Sequence, residues 1–260
     1  MPSAMPAPGS RSCTERSSVA TASSHRGPGP ERAYAPRLPT VGEVVLDGEE
    51  SAHLVRVRRV AAGQIVVLFD GLGATGIGTL TQADPRAAVV ALTGPHPARL
   101  PARLVRLAVS LPEPARADRM VAMLAELGVS ELMPLTCART DPGRRTLAGR
   151  RAKRWTRAAR EALKVNGGAH ALRIHPTKAF AELVGPESLL LDPDPDAPPF
   201  AECLGATDPT PWILIGPEGG FTEAELVTAV EAGTHTARLG GLALRTGTAA
   251  LAAAAVALNG

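Results

Sequence analysis

The sequence predicts an α/β protein: a parallel sheet covered by helices, with a smaller β-rich module in front of it. Three observations carry that prediction. From Leu104 onward, short apolar runs alternate with helical patterns, an alternation that implies a parallel sheet buried on both faces. Between Val41 and Leu92, short strand-like runs follow one another with turn residues between them. Finally, Ile213-Leu214-Ile215-Gly216-Pro217-Glu218-Gly219-Gly220-Phe221-Thr222-Glu223 reads as a buried strand, a glycine-rich loop and the start of a helix. In an open α/β sheet, ligands sit beyond the carboxyl end of such a strand.

Taken in order, residues 1–36 are rich in Pro, Ser, Gly and Ala without apolar periodicity, so a disordered extension is expected there. It contains no continuous apolar core of the kind a signal peptide needs. The β-rich module is expected over 37–95, with strands at Val44–Leu46, Ile65–Phe69, Ile77–Leu80 and Ala88–Leu92. A short helix over Glu50–Val60 would carry His53, Arg56, Arg58 and Arg59. Within the module, Gly71-Leu72-Gly73-Ala74-Thr75-Gly76 matches the dinucleotide fingerprint letter for letter. A strand rather than a helix follows it, so no helix N-terminus awaits a pyrophosphate and a hairpin loop is predicted instead.

Pro95–Pro101 reads as a linker, and the second domain is expected over 101–260. It opens with a strand at Leu104–Val109. A helix over Asp118–Leu127 follows, with Met120, Leu124 and Leu127 inward and Gly128 as its cap. After a strand at Leu132–Leu135, a long helix spans Arg144–Lys164. Its inward face is Trp155, Ala159, Ala162 and Leu163, and its other face carries Arg150, Arg151, Lys153, Arg154, Arg157 and Arg160. Strands at Leu172–Ile174 and Ser188–Leu191 precede the Ile213 strand. Thr222 and Glu225 form a capping box for a helix to Ala232, and a strand at Thr236–Leu239 leads to an alanine-rich final helix. Three strand ends converge in this reading, at Leu191-Asp192-Pro193, Ile215-Gly216-Pro217 and Leu239-Gly240-Gly241. Glycines there let a ligand approach the backbone closely.

Composition narrows the chemistry. With 45% hydrophobic and 20% charged residues the chain fits a soluble globular protein, and its longest apolar run, Ala249–Leu258, is too short to span a membrane. Cys13, Cys137 and Cys203 are odd in number and far apart, which suits a reducing cytoplasm. Walker A, HExxH and G-x-S-x-G patterns are all absent, and the six histidines show no metal-ligand spacing, so no metal is expected. Of 28 basic residues only Lys153, Lys164 and Lys178 are lysine. The arginine face of the long helix suits RNA phosphates, or equally a solvated face in an arginine-rich chain. Aromatics, at 3%, offer no stacking platform for flipped bases.

Ile215-Gly216-Pro217-Glu218-Gly219-Gly220-Phe221-Thr222, taken with Leu244-Arg245-Thr246-x-Thr248-Ala249-Ala250, resembles the RsmE family, the methyltransferases of N3 of a uridine in small-subunit ribosomal RNA. The resemblance extends through most of residues 41–260. His53-Leu54-Val55-Arg56-Val57-Arg58-Arg59 and Leu68-Phe69-Asp70-Gly71 resemble the family's PUA-like β-barrel domain. Glu126-Leu127-Gly128-Val129, Pro134-Leu135, Arg154-Trp155 and Arg160-Glu161-Ala162 resemble the helices and strand that come next. The resemblance implies a SPOUT-type parallel sheet with a C-terminal trefoil knot, which the general rule against knots would not suggest. It also implies a cytoplasmic homodimer that binds S-adenosylmethionine and has no membrane segment. The implied cofactor contacts are Leu191, Gly216, Glu218, Gly219, Leu239, Gly240, Leu244, Arg245, Thr246 and Ala249. Arg245, with Asn166, is the catalytic candidate, and Arg56, Arg58, Arg139, Arg154 and Arg157 are candidates for holding RNA.

Three departures from the family pattern stand out. Gly247 replaces a glutamate, Lys164-Val165-Asn166-Gly167-Gly168 replaces a Glu-Gln-Ser-Gly-Arg-like run, and Met123 replaces a lysine. Methylating uridine N3 requires loss of its proton, which nearby cationic donors favour. Changes around the substrate side therefore leave two other readings open: a relative acting on a small-molecule acceptor, or a non-catalytic RNA- or cofactor-binding relative. For Arg245 the alternative to a catalytic role is a salt bridge to Glu218.

Overall fold

The computed structural model describes residues 29–96, 103–204 and 210–259. The front domain comprises β1 (Glu31–Tyr34), β2 (Gly42–Val45), α1 (Gly48–Ala52), β3 (Ile65–Phe69), β4 (Thr75–Gln82) and β5 (Val89–His96). These strands form a five-stranded sheet ordered β1-β3-β4-β5-β2. Side-chain alternation decides its faces: on β3, Val66 and Leu68 are fully buried while Ile65 is exposed. Asp47 caps α1 by accepting the Glu50 amide at 2.8 Å. The helix then widens into a π-helical turn over His53–Val57, and Arg59 adopts a left-handed φ of 57°. The predicted helix to Val60 is thus shorter and irregular.

Two expectations are corrected here. The extension was expected through residue 36, yet Glu31–Tyr34 pairs in parallel with Val66–Phe69. Four residues are too few to show a period, and the strand is held by its partner and by the Tyr34 amide donating to Glu50 Oε2 at 3.0 Å. Residues 1–28 lie outside the described residues. The linker was expected from Pro95, but β5 continues through His96. Pro95 is tolerated because β2 pairs only with Val89–Leu92, leaving that end of β5 with β4 as its one described neighbour. The rest of the predicted linker, 97–101, lies outside the described residues.

The main domain contains β6 (Arg106–Val109), α2 (Pro114–Leu127), β7 (Glu131–Thr136), α3 (Leu147–Asn166), β8 (Arg173–Ile174) and β9 (Lys178–Ala179). It continues with β10 (Ser188–Leu191), α4 (Phe200–Cys203), β11 (Trp212–Ile215), α5 (Glu223–Glu231), β12 (His235–Ala237) and α6 (Thr246–Asn259). The sheet runs β12-β10-β11-β6-β7-β8, with β9 beside β7, and every described pairing is parallel. Leu107 and Val109 face a core shared with α2, α3 and α6, while Ala108 faces Leu190, Leu214, Phe221 and Ala229 on the opposite side. Both faces are covered, as the alternating pattern requires.

Helix starts differ from expectation for local reasons. α2 begins at Pro114, whose fixed φ and missing amide suit a first helical position. Its buried stripe is Ala117, Met120, Val121, Leu124 and Ala125, whereas Leu127, predicted inward, is exposed at the helix end. α3 begins at Leu147, because Asp141 accepts the Gly143 amide at 2.7 Å and closes a separate 3-10 turn over Pro142–Arg144. Its predicted inward residues Trp155, Ala159, Ala162 and Leu163 are all buried.

The two domains meet along a defined seam. Of the predicted hairpin stretch, Gly71–Ala74 forms the loop between antiparallel β3 and β4, whose first residues are Thr75 and Gly76, and the loop docks against the main domain. The Gly73 amide donates to Ala169 O at 3.0 Å, and the Ala171 amide donates to Gly71 O at 2.9 Å. The Arg160 guanidinium lies 4.1 Å from the Tyr34 ring centre, and Arg32 donates to Gly168 O at 2.5 Å. Lys164 is buried between Glu50 at 2.8 Å and Glu161 at 2.7 Å.

Candidate functional site

The three strand ends named from sequence do converge. Leu191, last in β10, is in register with Ile215 of β11 on one side and Ala237 of β12 on the other. The chain leaves all three strands at one sheet end, and the emerging loops wall an open cleft. β12 ends two residues before the predicted Leu239, so Leu239 and Gly240 belong to the loop.

Thr222 explains how the β11–α5 wall is held. Its hydroxyl accepts the Glu225 amide at 3.2 Å, and Glu225 Oε2 accepts the Thr222 amide at 2.8 Å. This is the predicted capping box. The second oxygen of Glu225 accepts the Ala138 amide at 2.7 Å. Arg139 then donates to Gly219 O at 2.6 Å and Phe221 O at 3.2 Å. The segment after β7 is therefore clamped onto the glycine loop. The opposite wall is tied in by Thr246, which is buried and donates to Gly216 O at 3.1 Å.

Of the residues predicted to touch a cofactor, Leu191, Gly216, Glu218, Leu239, Gly240, Leu244, Thr246 and Ala249 line the cleft. Gly219 and Arg245 lie beside it, outside its lining. The sequence reading named Asp192, Pro193, Ile215 and Pro217 at the converging strand ends without making them contacts, and it missed Gly220, Phe221, Leu242 and Ala243 as lining residues. Position was the available signal for Asp192, which directly follows a strand end. The main-chain amides from Leu239 through Leu244 donate to no other main-chain group among the described residues. A Cβ placed on Gly240 or Gly241 would meet nothing within 4 Å. Apolar walls with a run of free amides suit a ligand that has a flat apolar part and a polar tail.

The catalytic candidates separate. Arg245 is exposed at the start of α6, and its alternative partner Glu218 is instead bound by Arg116 at 3.2 Å. Asn166 is not in the cleft: its side-chain amide donates to Ala125 O and Glu126 O, both at 3.2 Å, while its Oδ1 accepts the Gly168 amide at 2.8 Å. It satisfies the open carbonyls at the end of α2. Cys137 is no nucleophile, because burial first, and then the Glu225 carboxylate, push its thiol up to about 12.

The basic residues are largely engaged within the chain. Arg58 pairs with Glu31 at 3.2 Å, Arg154 with Asp118 at 3.4 Å, and Arg157 with Glu49. Arg139 holds the glycine loop as described. Arg56 is exposed and has no ion-pair partner among the described residues. No helix among the described residues is long and apolar enough to cross a membrane.

Comparison with known proteins agrees with this geometry. Residues 99–258 match the RNA methyltransferase domain, and residues 46–93 match the RNA methyltransferase PUA domain. The ribosomal RNA small subunit methyltransferase E of Mycobacterium bovis is 29% identical over 238 residues, covering 85% of this chain and 88% of that protein. The ribosomal RNA small subunit methyltransferase E of Neisseria gonorrhoeae, solved bound to S-adenosyl methionine, aligns with a TM-score of 0.74 at 27% identity, over 87% of this chain and 95% of that one. A Legionella pneumophila structure in complex with the same cofactor aligns with a TM-score of 0.75 over 88% of this chain and 96% of that one. At 22% identity it is a likeness of fold alone.

Proposed function

We propose, from the premise that the chain belongs to the RNA methyltransferase family, that it methylates N3 of a uridine in small-subunit ribosomal RNA using S-adenosylmethionine. The cleft beyond β10, β11 and β12 carries this reading. Its unpartnered amides at Leu239–Leu244 would hold the polar edge and tail of the cofactor. Leu191, Leu239 and Leu244 would pack on the adenine. When bound, S-adenosylmethionine supplies an electrophilic methyl group on a sulfonium sulfur.

The remaining work falls to the chain's own residues. Leu244 and Thr246 line the cleft, so Arg245 stands at its edge with an exposed guanidinium. A cation there favours the uridine anion formed when N3 loses its proton. Arg56, with the exposed faces of Arg154 and Arg157, would steer the phosphate backbone toward the mouth. The departure at Lys164–Gly168 does not count against RNA. Those residues are spent on the domain seam and the end of α2, through Lys164 to Glu50, Asn166 to Ala125 O, and Gly168 O from Arg32.

Three finer features belong to the same reading. A trefoil knot follows from the same resemblance, in the region where the chain passes from β12 at the sheet edge back to α6 against β6 and β11. A homodimer, whose second copy completes the site around Arg245, and a cytoplasmic location follow from the resemblance. The test is to incubate the protein with labelled S-adenosylmethionine and small ribosomal subunits lacking uridine N3 methylation. Label on one uridine is the expected result. Cofactor binding without transfer to RNA would sink the proposal.

A further inference from the structure

The side chains lining the cleft include two that carry charge, and both are acidic: Asp192 and Glu218. Glu218 is neutralised by Arg116 at 3.2 Å. Asp192 has no basic partner among the described residues and is half-buried in the wall. Its position is fixed twice over. Its amide donates to Ala237 O at 3.0 Å, which locks it to the end of β12. Its Oδ1 accepts the Asp194 amide at 2.9 Å, and Asp194 Oδ1 in turn accepts the Asp196 amide at 2.9 Å. Pro193 and Pro195 stiffen the same run. The result is a preorganised carboxylate facing a cleft without a lining cation.

Resting on the reading above, we propose that Asp192 is a specificity-determining residue that makes the cleft favour the cationic methyl donor over its uncharged product. S-adenosylmethionine carries a sulfonium, an ammonium and a carboxylate, hence one net positive charge. In methyl transfer both electrons of the broken carbon–sulfur bond stay on sulfur. The acceptor nitrogen's lone pair makes the new bond and its proton leaves to solvent. S-adenosylhomocysteine therefore has no net charge. A fixed carboxylate in a partly desolvated cleft attracts the first ligand and is nearly indifferent to the second. Turnover itself switches off that attraction and eases product release.

The test uses Asp192→Asn, which keeps the acceptor for the Asp194 amide and removes only the charge. Calorimetric titration of the full chain compares S-adenosylmethionine, S-adenosylhomocysteine and sinefungin, whose amine replaces the sulfonium and is cationic at neutral pH. The Kd for the two cationic ligands should rise about three- to tenfold, while that for S-adenosylhomocysteine stays within about twofold. An unchanged thermal midpoint shows that the variant is folded. Asp194→Asn, one step outside the cleft lining, should leave the donor-to-product ratio within about twofold. An equal change for donor and product, or none for either, overturns the role of Asp192. Failure of the unaltered chain to bind any of the three overturns the cofactor reading itself, a separate outcome.

Discussion

The chain has glycine-rich stretches after three strands: Gly71–Gly76 after β3, Gly216–Gly220 after β11 and Gly240–Gly241 after β12. The first matches a general dinucleotide fingerprint and the second matches none, yet the second walls the cleft. The missing side-chain positions separate the hairpin from the far wall of the cleft, since a Cβ on Gly216 would itself meet the Phe221 ring at 3.0 Å. A Cβ on Gly73 would sit 2.5 Å from the His170 ring, and its φ is +113°. The protein itself fills that space, so the hairpin glycine serves domain docking. Opposite the Gly216 loop, across the cleft, Gly240 and Gly241 face nothing within 4 Å. The vacancy at Gly73 is filled by the protein, whereas that at Gly240 in the cleft lining stays open to a ligand.

The largest expected effect lies on the filled side, along the seam that the hairpin helps to form. Lys164→Ala would leave Glu50 with no cationic partner at a site where the two side chains are only 4% and 9% exposed. Removing one partner of such a pair costs about 3–5 kcal/mol, read as a lower urea midpoint. The double variant Glu50→Gln with Lys164→Met should recover most of that loss. A single variant as stable as the unaltered chain would mean that the seam is dispensable.

Next in size, Gly73→Ala forces a Cβ into the His170 ring and holds alanine at a φ that L residues rarely adopt. A loss of about 3 kcal/mol is expected in chemical denaturation, with S-adenosylmethionine affinity unchanged in the folded protein. A variant that folds normally but loses cofactor affinity would reverse the comparison and return the fingerprint to a binding role.

The difference between the loops also shows what could be read without a structure. Strands and helices with a strong period were legible, and the strand–loop–helix order at Ile213 was enough to place the cleft. β1 (Glu-Arg-Ala-Tyr) and β9 (Lys-Ala) have no apolar run of the kind that marks β11, and they form only because a partner strand is present. The basic residues of α3 were legible as a face but not as contacts, because the acidic partners of Arg154, Arg157 and Lys164 come from distant segments: Asp118 on α2, and Glu49 and Glu50 on α1. Asn166 shows the same limit. Its type and position suited catalysis, while its three hydrogen bonds depend on where α2 ends.

On the open side the expected effects are on binding. Gly240→Ala meets no atom within 4 Å and needs no left-handed φ, so stability should stay within about 0.5 kcal/mol. The added methyl group occupies the space proposed for the ligand, and S-adenosylmethionine should bind about tenfold more weakly, about 1.4 kcal/mol. Undiminished affinity in calorimetry would show that the open vacancy belongs to no ligand.

The smallest effect is the most diagnostic of how the two loops are held. The hairpin is fixed to the main domain by two main-chain hydrogen bonds, whereas the two cleft walls are joined by one side-chain bond, from Thr246 to Gly216 O. Thr246→Val keeps the volume and deletes that bond, at a cost of about 1 kcal/mol. Both walls remain attached to their own strands, so the fold should survive while the cleft loses its tie. S-adenosylmethionine affinity should fall a few-fold, and amide exchange should quicken at Gly216–Gly220 but not at Gly73. Equal quickening at both loops would mean that they share one cooperative unit, and the division between a docking loop and a binding loop would then fail.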